Sequence, residues 1–498
     1  MGDLPKNWVN VSLQNVTKNV KGKKPRIQLE DEFEGSVPYL DIKALEYNVV
    51  RQFSDVETSK LFEEGDIAMV WDGARSGWVS RTSFGAIGST LVAFKPILIN
   101  SDYLYYFLLD KYPYINSNGR GVGIPHVDPT VLWGLNFPLP PLPEQNRIVA
   151  KLDALFGQLE IIKASMEKIP VLLKEFRQQV LSMAVSGKLT ESWRVGKELE
   201  IVDLGKLETE REALKRDKAS KDGKKSYNYK KAIFPKFGMT TKGISEFYKV
   251  PTSWTWVSID QVTWNISDGP HFSPKYLDKI GSKRFISMRN VSPSGINFDD
   301  CKYISLEDHD EFIKRGKPEK NDILYTKGGS TGIACLIEDD SDFSYWVHVA
   351  LLKPISKHVN SKFLRNTLLS PLCYNQSQAF THGVGNQDLG LTRMINISFP
   401  LPSVFEQQEI VSRVESLFSK ADAIQAQYQS LKQKIDNLPQ AILHKAFKGE
   451  LTEQLDTDGD ARELLREIES LKQNIKPTKQ PALRMVAEKP AKYAKAHE

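Results

Sequence analysis

One block of this chain is used twice. The segment Phe137–Glu191 recurs without a gap at Phe399–Glu453, and about 19 of the 55 paired positions are identical. Both copies open on Phe-Pro-Leu-Pro, reach Glu-Gln at Glu144-Gln145 and Glu406-Gln407, and close on Gly-x-Leu-Thr-Glu from Gly187 and from Gly449. A self-match of that length constrains the architecture before any local propensity does, since each copy must fold as the same unit. The expectation is a pseudo-two-fold internal repeat.

Inside the first copy apolar residues fall at Ile148, Leu152, Leu155, Leu159 and Ile162 and run on through Met166, Ile169, Leu173, Phe176 and Val180. The second copy gives Ile410, Val414, Leu417, Ala421 and Ile424, then Tyr428, Leu431, Ile435, Leu438 and Ile442. The steps alternate between four and three, a mean of about 3.5, which is the seam of helices that supercoil around one another. Such a stripe needs a partner helix, and the other copy is tethered nearby at high effective concentration. The pattern predicts two long helical spacers forming an antiparallel coiled coil; the plainer alternative is two amphipathic helices packed on separate domains. Pro170 and Pro439 each remove a helical hydrogen bond. Each spacer should therefore be a main helix of about 25 residues, roughly 38 Å, then a kink and a shorter helix.

The segments preceding the two blocks are related more faintly. Pro5, Trp8, Val11, Ser12, Leu13, Val16 and Thr17 pair with Pro251, Trp254, Val257, Ser258, Ile259, Val262 and Thr263. Gly65-Asp66-Ile67 pairs with Asn321-Asp322-Ile323, and Gly121-Val122-Gly123 with Gly383-Val384-Gly385, while the residues between differ freely. A shared frame with unlike contents implies two copies of one fold that recognise different things.

At 498 residues and 40% hydrophobic content the chain can hold three or four domains with real cores. The net charge of +5 does not by itself establish a nucleic-acid partner. Cys301, Cys335 and Cys373 lack metal-ligand spacing and read as free thiols in a reducing compartment. No run approaches the ~18 apolar residues of a membrane span, and the opening residues carry no signal-peptide core, so a cytoplasmic location without membrane contact is expected. The class is α+β. Residues 1–136 form a first globular domain with strand-like runs at Ile67–Trp71 and Thr90–Phe94 and a helix at Tyr103–Leu109. Residues 137–194 are the first helical spacer, and 195–249 a charged linker, helical over Leu207–Lys218 and then loose at Lys-Asp-Gly-Lys-Lys-Ser. Residues 250–398 form a second globular domain, with strand-like runs at Arg284–Met288, Ile323–Tyr325 and Trp346–Leu352. Residues 399–475 are the second spacer, ending in a helix over Ala461–Lys472, and 476–498 a disordered basic tail.

This arrangement resembles the specificity subunit of type I restriction and modification enzymes. The resemblance covers nearly the whole chain and is most specific at Phe137–Gln145, at Phe176–Leu181 and at Ala446–Thr452. It implies two target-recognition domains, each reading one half of a split double-stranded DNA sequence in the major groove, and helical spacers that act as a ruler and dock two modification (methyltransferase) subunits. It further implies that adenine methylation and ATP-dependent cleavage belong to those subunits and to restriction subunits, with S-adenosylmethionine, ATP and Mg2+ bound there and no cofactor on this chain. No methyltransferase signature of the Asn-Pro-Pro-Tyr type and no helicase phosphate loop occurs in the sequence. Two alternatives stay open: a self-sufficient DNA methyltransferase, and a coiled-coil scaffold without DNA contact.

Base recognition needs donors and acceptors on loops, Arg or Lys for guanine and Asn or Gln for adenine. In the first domain the candidates are Lys21, Lys23, Lys24 and Arg26, then Arg75 and Ser76, then Arg120 and His126. In the second they are His271 and Lys275, Arg289 and Asn290, Lys327 and Thr331, and His382, Asn386 and Gln387. For each the plainer reading is an exposed or phosphate-contacting side chain. The glycine loops Gly119-x-Gly121-x-Gly123 and Gly328–Gly332 lack the full dinucleotide and phosphate-loop fingerprints and read as tight turns. The pair His126 and Asp128 lacks a nucleophile, and Asp339, Asp340 and Asp342 sit in a solvated turn, so neither a catalytic nor a metal site is expected.

Overall fold

The computed structural model describes residues 4–121, 123–221, 223, 248–279, 281–383 and 387–474. It divides into two units, residues 1–166 with 430–498, and residues 167–429. Each unit therefore takes the beginning of one duplicated block and the end of the other. In each, the Phe-Pro-Leu-Pro segment is a strand paired antiparallel with one near the start of its half: β1 (Val9–Ser12) with β6 (Asn136–Leu139) in the first unit, and β7 (Thr255–Ser258) with β12 (Ser398–Leu401) in the second.

Between those strands lies a four-stranded antiparallel sheet of the same order in both units. In the first it is built of β2 (Thr17–Lys21), β5 (Leu91–Pro96), β3 (Ile67–Val70) and β4 (Val79–Arg81). In the second it is built of β8 (Thr263–Asp268), β11 (Val349–Pro354), β9 (Ile323–Thr326) and β10 (Ala334–Leu336). The accompanying sheets differ: the first unit has a five-stranded one and the second a three-stranded one. The turn before β3 and β9 explains the paired Gly-Asp-Ile and Asn-Asp-Ile. Gly65 and Asn321 take φ values of +81° and +72°, which favour Gly or Asn there. Asp66 and Asp322 accept from the amides of Glu63 and Glu319 at 2.8 and 2.9 Å. Lys95 and Lys353 lie 3.4 and 2.5 Å from those carboxylates. Burial nevertheless pushes the Asp322 carboxyl up to about 6.

The helices used below are α1 (Ser101–Ser117), α2 (Leu142–Met166), α3 (Ile169–Val185), α4 (Leu204–Lys221), α5 (Ser361–Leu368), α6 (Val404–Phe447) and α7 (Ala461–Asn474). The break foreseen at Pro170 is present: α2 has 25 residues, and α3 restarts with Pro170 in its first turn, where a missing amide costs no helical bond. The separate shorter helix expected after Pro439 does not occur, for α6 runs 44 residues through that position. Proline forfeits one backbone bond there, and buried Tyr428 before it and Leu443, Ala446 and Phe447 after it hold the helix by packing. α4 is part of the second unit, burying Leu207 and donating from Arg211 to the carbonyl of Asp260 at 3.0 Å. The loose part of the linker, apart from Gly223, and the basic tail lie outside the described residues. Among the described residues no helix is long and apolar enough to cross a membrane.

The duplicated helices run antiparallel within each unit. In the first, Ile148 and Leu152 near the start of α2 share a core with Leu443, Ala446 and Phe447 at the end of α6. In the second, Val180 to Val185 at the end of α3 share a core with Ile410, Val411 and Val414 at the start of α6, and Arg177 donates to Asp422 at 2.7 Å. Leu159 and Ala421 are buried and Leu155 and Leu417 half-buried. The stripe does not stay covered to its full predicted length, for Ile162 and Ile424 are 44% and 48% exposed. Coverage follows the two cores, and those two positions lie toward the residues where one unit gives way to the other.

The block motifs explain one another inside each core. Glu144 is fully buried and accepts from Trp8 Nε1 at 2.8 Å, from Gln454 at 3.0 Å and from Thr452 at 3.4 Å. Glu406, also fully buried, accepts from Trp254 Nε1 at 2.9 Å, Thr190 at 2.7 Å and Arg194 at 2.6 Å. The Glu of one block thus holds the Thr that closes the other. The neighbouring glutamines accept from the backbone amides of Asn100 and Asn360 at 2.9 and 2.8 Å, and those asparagines cap α1 and α5. Gly187 and Gly449 have φ near +77° and +75°, and a Cβ on them would stand 2.5 Å from Pro251 and 2.3 Å from Pro5.

Removing Glu406 would leave buried donors unpaired, so Glu406→Ala is expected to cost about 3 kcal/mol, against about 1 kcal/mol for Thr190→Val. Denaturant unfolding measures both; equal losses would show that the carboxylate is not the centre of the network.

Candidate nucleic-acid interface

Both units build the same bridge beside the central sheet. In the first, Val127 donates to the carbonyl of Trp71 at 2.9 Å, and Arg120 and His126 exchange backbone bonds at 2.8 and 2.7 Å. In the second, Leu389 donates to the carbonyl of Lys327 at 2.7 Å, and His382 and Asp388 exchange bonds at 3.0 and 2.8 Å. The loop after β3 is thereby clamped to the segment that carries the glycine turn, and the loop after β9 to His382, Asp388 and Leu389. At Gly121 φ is +104° and a Cβ would stand 2.5 Å from the carbonyl of Ile124, which is why a glycine is needed there.

In the first unit Asp72 gathers the cations. His126 Nδ1 lies 2.6 Å from one carboxylate oxygen and Lys21 Nζ 3.5 Å from the other. Lys21, at the end of β2, also stands 5.8 Å over the Trp71 ring. Lys23 and Lys24 follow it and are exposed. Arg120 is exposed and held to Asp128 at 2.5 Å, which makes His126 a partner of Asp72 and Arg120 the partner of Asp128. Arg26 is exposed, its amide bonded to Thr58, and Arg75 pairs with Glu46 at 2.8 Å, so the partners of both lie outside the Asp72 group. Ser76 has to be withdrawn as a surface donor, since it is fully buried beneath its own turn.

In the second unit the centre is Asp268 at the end of β8, buried, with Lys327 Nζ at 3.3 Å, His271 Nε2 at 3.2 Å and Arg315 Nη2 at 3.7 Å. A cleft of about 380 Å³ here is lined by His271, Met288, Lys327, Gly329, Val347, His348, Gln387 and Asp388. A second, of about 420 Å³, shares Met288 and His348 and is lined further by Tyr276, Phe285, Arg289, Lys302 and Trp346 among others. Three predicted residues, His271, Lys327 and Gln387, thus line one cleft, Lys327 being buried against Asp268, and Arg289 stands in the next. Lys275 is exposed on the preceding loop, and His382 lies on the bridge. Two candidates are corrected. Asn290 borders the second cleft but is buried, its amide accepting from Ser287 N at 2.9 Å and donating to Asn297 O at 3.0 Å, and Thr331 is buried against Thr381 Oγ1 at 2.9 Å. Both hold turns. Asn386 lies outside the described residues.

Sequence reasoning missed Asp72, Asp268 and His348. An aspartate at a strand end reads as a turn residue, and only the strand register shows Lys21 and Asp268 in the same place, each opposite the second residue of the neighbouring strand, Val92 and Ala350. The acidic run is structural: Asp342 pairs with Lys283 at 2.5 Å and His309 at 3.2 Å, and Asp339 accepts from Ser341 N at 3.0 Å. Clusters of cationic donors on clamped loops can hold phosphates and the edges of bases.

Residues 5–171 and 251–433 match the family described as "Type I restriction modification DNA specificity domain". The chain is 32% identical over 355 residues to the type I restriction enzyme EcoBI specificity subunit of Escherichia coli, covering 71% of this chain and 66% of that one, slightly under two thirds of its length. It is 27% identical over 469 residues to the EcoDI specificity subunit of Escherichia coli, covering 91% and 90%. Among solved structures it superposes with a TM-score of 0.58 at 17% identity on a chain from a study of type I R-M complex assembly and conformational transition, covering 90% of this chain and all of that one. The HsdS subunit from Thermoanaerobacter tengcongensis gives a TM-score of 0.53 at 17% identity, covering 90% and 98%.

If the basic strand end of the first unit lies on a backbone, alanine at Lys21, Lys23 and Lys24 together should weaken DNA binding on all sequences and flatten the salt dependence by about 0.9 for each phosphate no longer neutralised. Titration at several salt concentrations measures the slope, and an unchanged slope would remove these lysines from the interface.

Proposed function

The chain belongs to the family of type I restriction-modification DNA specificity subunits, and from that premise we infer that each of its two units reads one half of a split double-stranded DNA sequence. The observation that carries this reading is the clamped loop cluster. Its bridging backbone bonds recur in both units, while the side chains around them are Lys21, Asp72, Arg120 and His126 in one and Asp268, His271, Lys327 and Gln387 in the other. A shared frame with exchanged donors and acceptors suits two loops that enter the major groove at different base sequences.

The duplicated helices set the length of unread DNA between the halves, as half-site spacing mirrors protein geometry elsewhere. Apolar residues that remain exposed on them, including Ile161, Val171, Leu172, Leu431 and Leu438, supply surface on which two modification subunits dock. Methyl transfer to adenine and ATP-driven cleavage then belong to modification and restriction subunits, which carry S-adenosylmethionine, ATP and Mg2+, and this chain supplies recognition in the cytoplasm. Neither the self-sufficient methyltransferase nor the scaffold without DNA contact gains support from the relatives.

Replacing residues 1–136 by those of another family member should change one half of the methylated motif and leave the other as it was, read by mapping methylated adenines in cells that carry the assembled enzyme. Changes on both sides would contradict independent readers. Adding one heptad to both duplicated helices should lengthen the unread segment with both halves intact; altered halves would defeat the ruler.

A further inference from the structure

At one strand end of the shared frame the two units carry opposite charges, each paired with a residue of the following loop, one position apart in the frame. In the first unit the strand-end residue opposite the second residue of β5 is Lys21, and the loop after β3 carries Asp72, with Nζ and Oδ2 3.5 Å apart. In the second unit the strand-end residue at the same register, opposite the second residue of β11, is Asp268, and the loop after β9 carries Lys327 at 3.3 Å. At its structural positions the frame keeps its chemistry: Asp66 and Asp322, Lys95 and Lys353, Glu144 and Glu406, Gln145 and Gln407 are the same residue types in the same roles. By register and by the bridge bonds Lys327 stands where Trp71 stands and Gly328 where Asp72 stands, so each unit builds its own ion pair at this strand end and the shared frame does not dictate it.

We propose that this loop charge selects the base edge, and that it selects opposite edges in the two units. Asp72, beside His126, accepts from a donor edge, the exocyclic amino group of cytosine or adenine; Lys327, with His271 and Gln387 in the same cleft, donates to the acceptor edge of guanine. The proposal rests on the reading of each unit as a DNA reader and goes further by naming the side chain and the base class. The groups have capacity to spare. A lysine ammonium has three donors, of which Asp268 takes one, and a carboxylate keeps acceptor positions after pairing with Lys21 and His126.

Lys21 and Asp268 are then positioning residues. Asp268 is buried and also meets His271 at 3.2 Å and Arg315 at 3.7 Å, so it fixes where the Lys327 ammonium stands. The loop backbone is pressed against the wall of the cleft: a Cβ at Gly328 would come within 2.5 Å of His348 and one at Gly329 within 2.3 Å of Met288. The Lys327 side chain is itself only 6% exposed and lines the cleft of about 380 Å³, which admits a base edge.

The test uses the specificity subunit assembled with modification subunits and a panel of duplexes in which each base pair of the methylated motif is varied singly. Asp72→Asn and Lys327→Met should each lose discrimination by about 10-fold or more at one base pair. The two pairs should lie in opposite halves, with guanine the base no longer selected by Lys327→Met. Asp268→Asn should relax the same base pair as Lys327→Met, and Lys327→Arg, which keeps a cationic donor, should retain the guanine preference even if the methionine variant fails to assemble. A uniform loss of affinity on every duplex, with a shallower salt slope, would make these side chains phosphate ligands and overturn the proposal, as would relaxation in both halves from one substitution. An unsubstituted assembly indifferent to base sequence would instead refute the DNA-reading assignment beneath it.

Discussion

Each unit of this fold joins its distant segments at one buried glutamate. Glu144 and Glu406 are sealed from water, and a carboxylate in such a place costs several kcal/mol unless donors surround it. The donors come from distant parts of the sequence: a tryptophan near the start of the same half, and the closing Thr-Glu segment of the other block. Neither block can complete its own unit. This is the physical reason for the duplication, since each copy ends in the piece that the other copy's beginning lacks, and Gly187 and Gly449 are glycines because that piece packs directly on Pro251 and Pro5.

The helices that carry these segments obey a second constraint. Their apolar stripe is covered where a unit's core supplies partners, at Ile148 and Leu152 against Leu443 and Phe447, and at Val180 to Val185 against Ile410 and Val414. Beyond those cores Ile162, Ile424, Leu431 and Leu438 stay exposed. An exposed apolar row on a long helix is an invitation to another protein, which fits a subunit that works in an assembly.

Much of the fold was legible because it is periodic. The repeat implied two like units, the stripe implied the long helices, and the faint landmarks Trp8, Asp66 and Gly121 marked a frame whose roles the structure explains. Pro439 does not divide its helix as Pro170 does, because buried side chains flank it on both sides along α6. The loop clusters beside the central sheets were located roughly, through Lys21, His126, His271, Lys327 and Gln387, since basic and amide side chains between strands stand out in a sequence. Ser76, Asn290 and Thr331 stood in the same loops but turn inward, a distinction that side-chain direction alone makes and composition does not. Asp72 and Asp268, the residues around which the loops organise, gave no signal, because an ion pair between positions far apart in sequence becomes visible only once the strands are in register.

The most direct measurement is the methylated motif of the assembled enzyme carrying this unsubstituted chain, mapped across a genome. Two like frames with unlike loops predict an asymmetric motif, two short specified stretches of different sequence parted by a fixed run of unspecified base pairs. A single uninterrupted motif, or a palindrome in which both halves read alike, would contradict it.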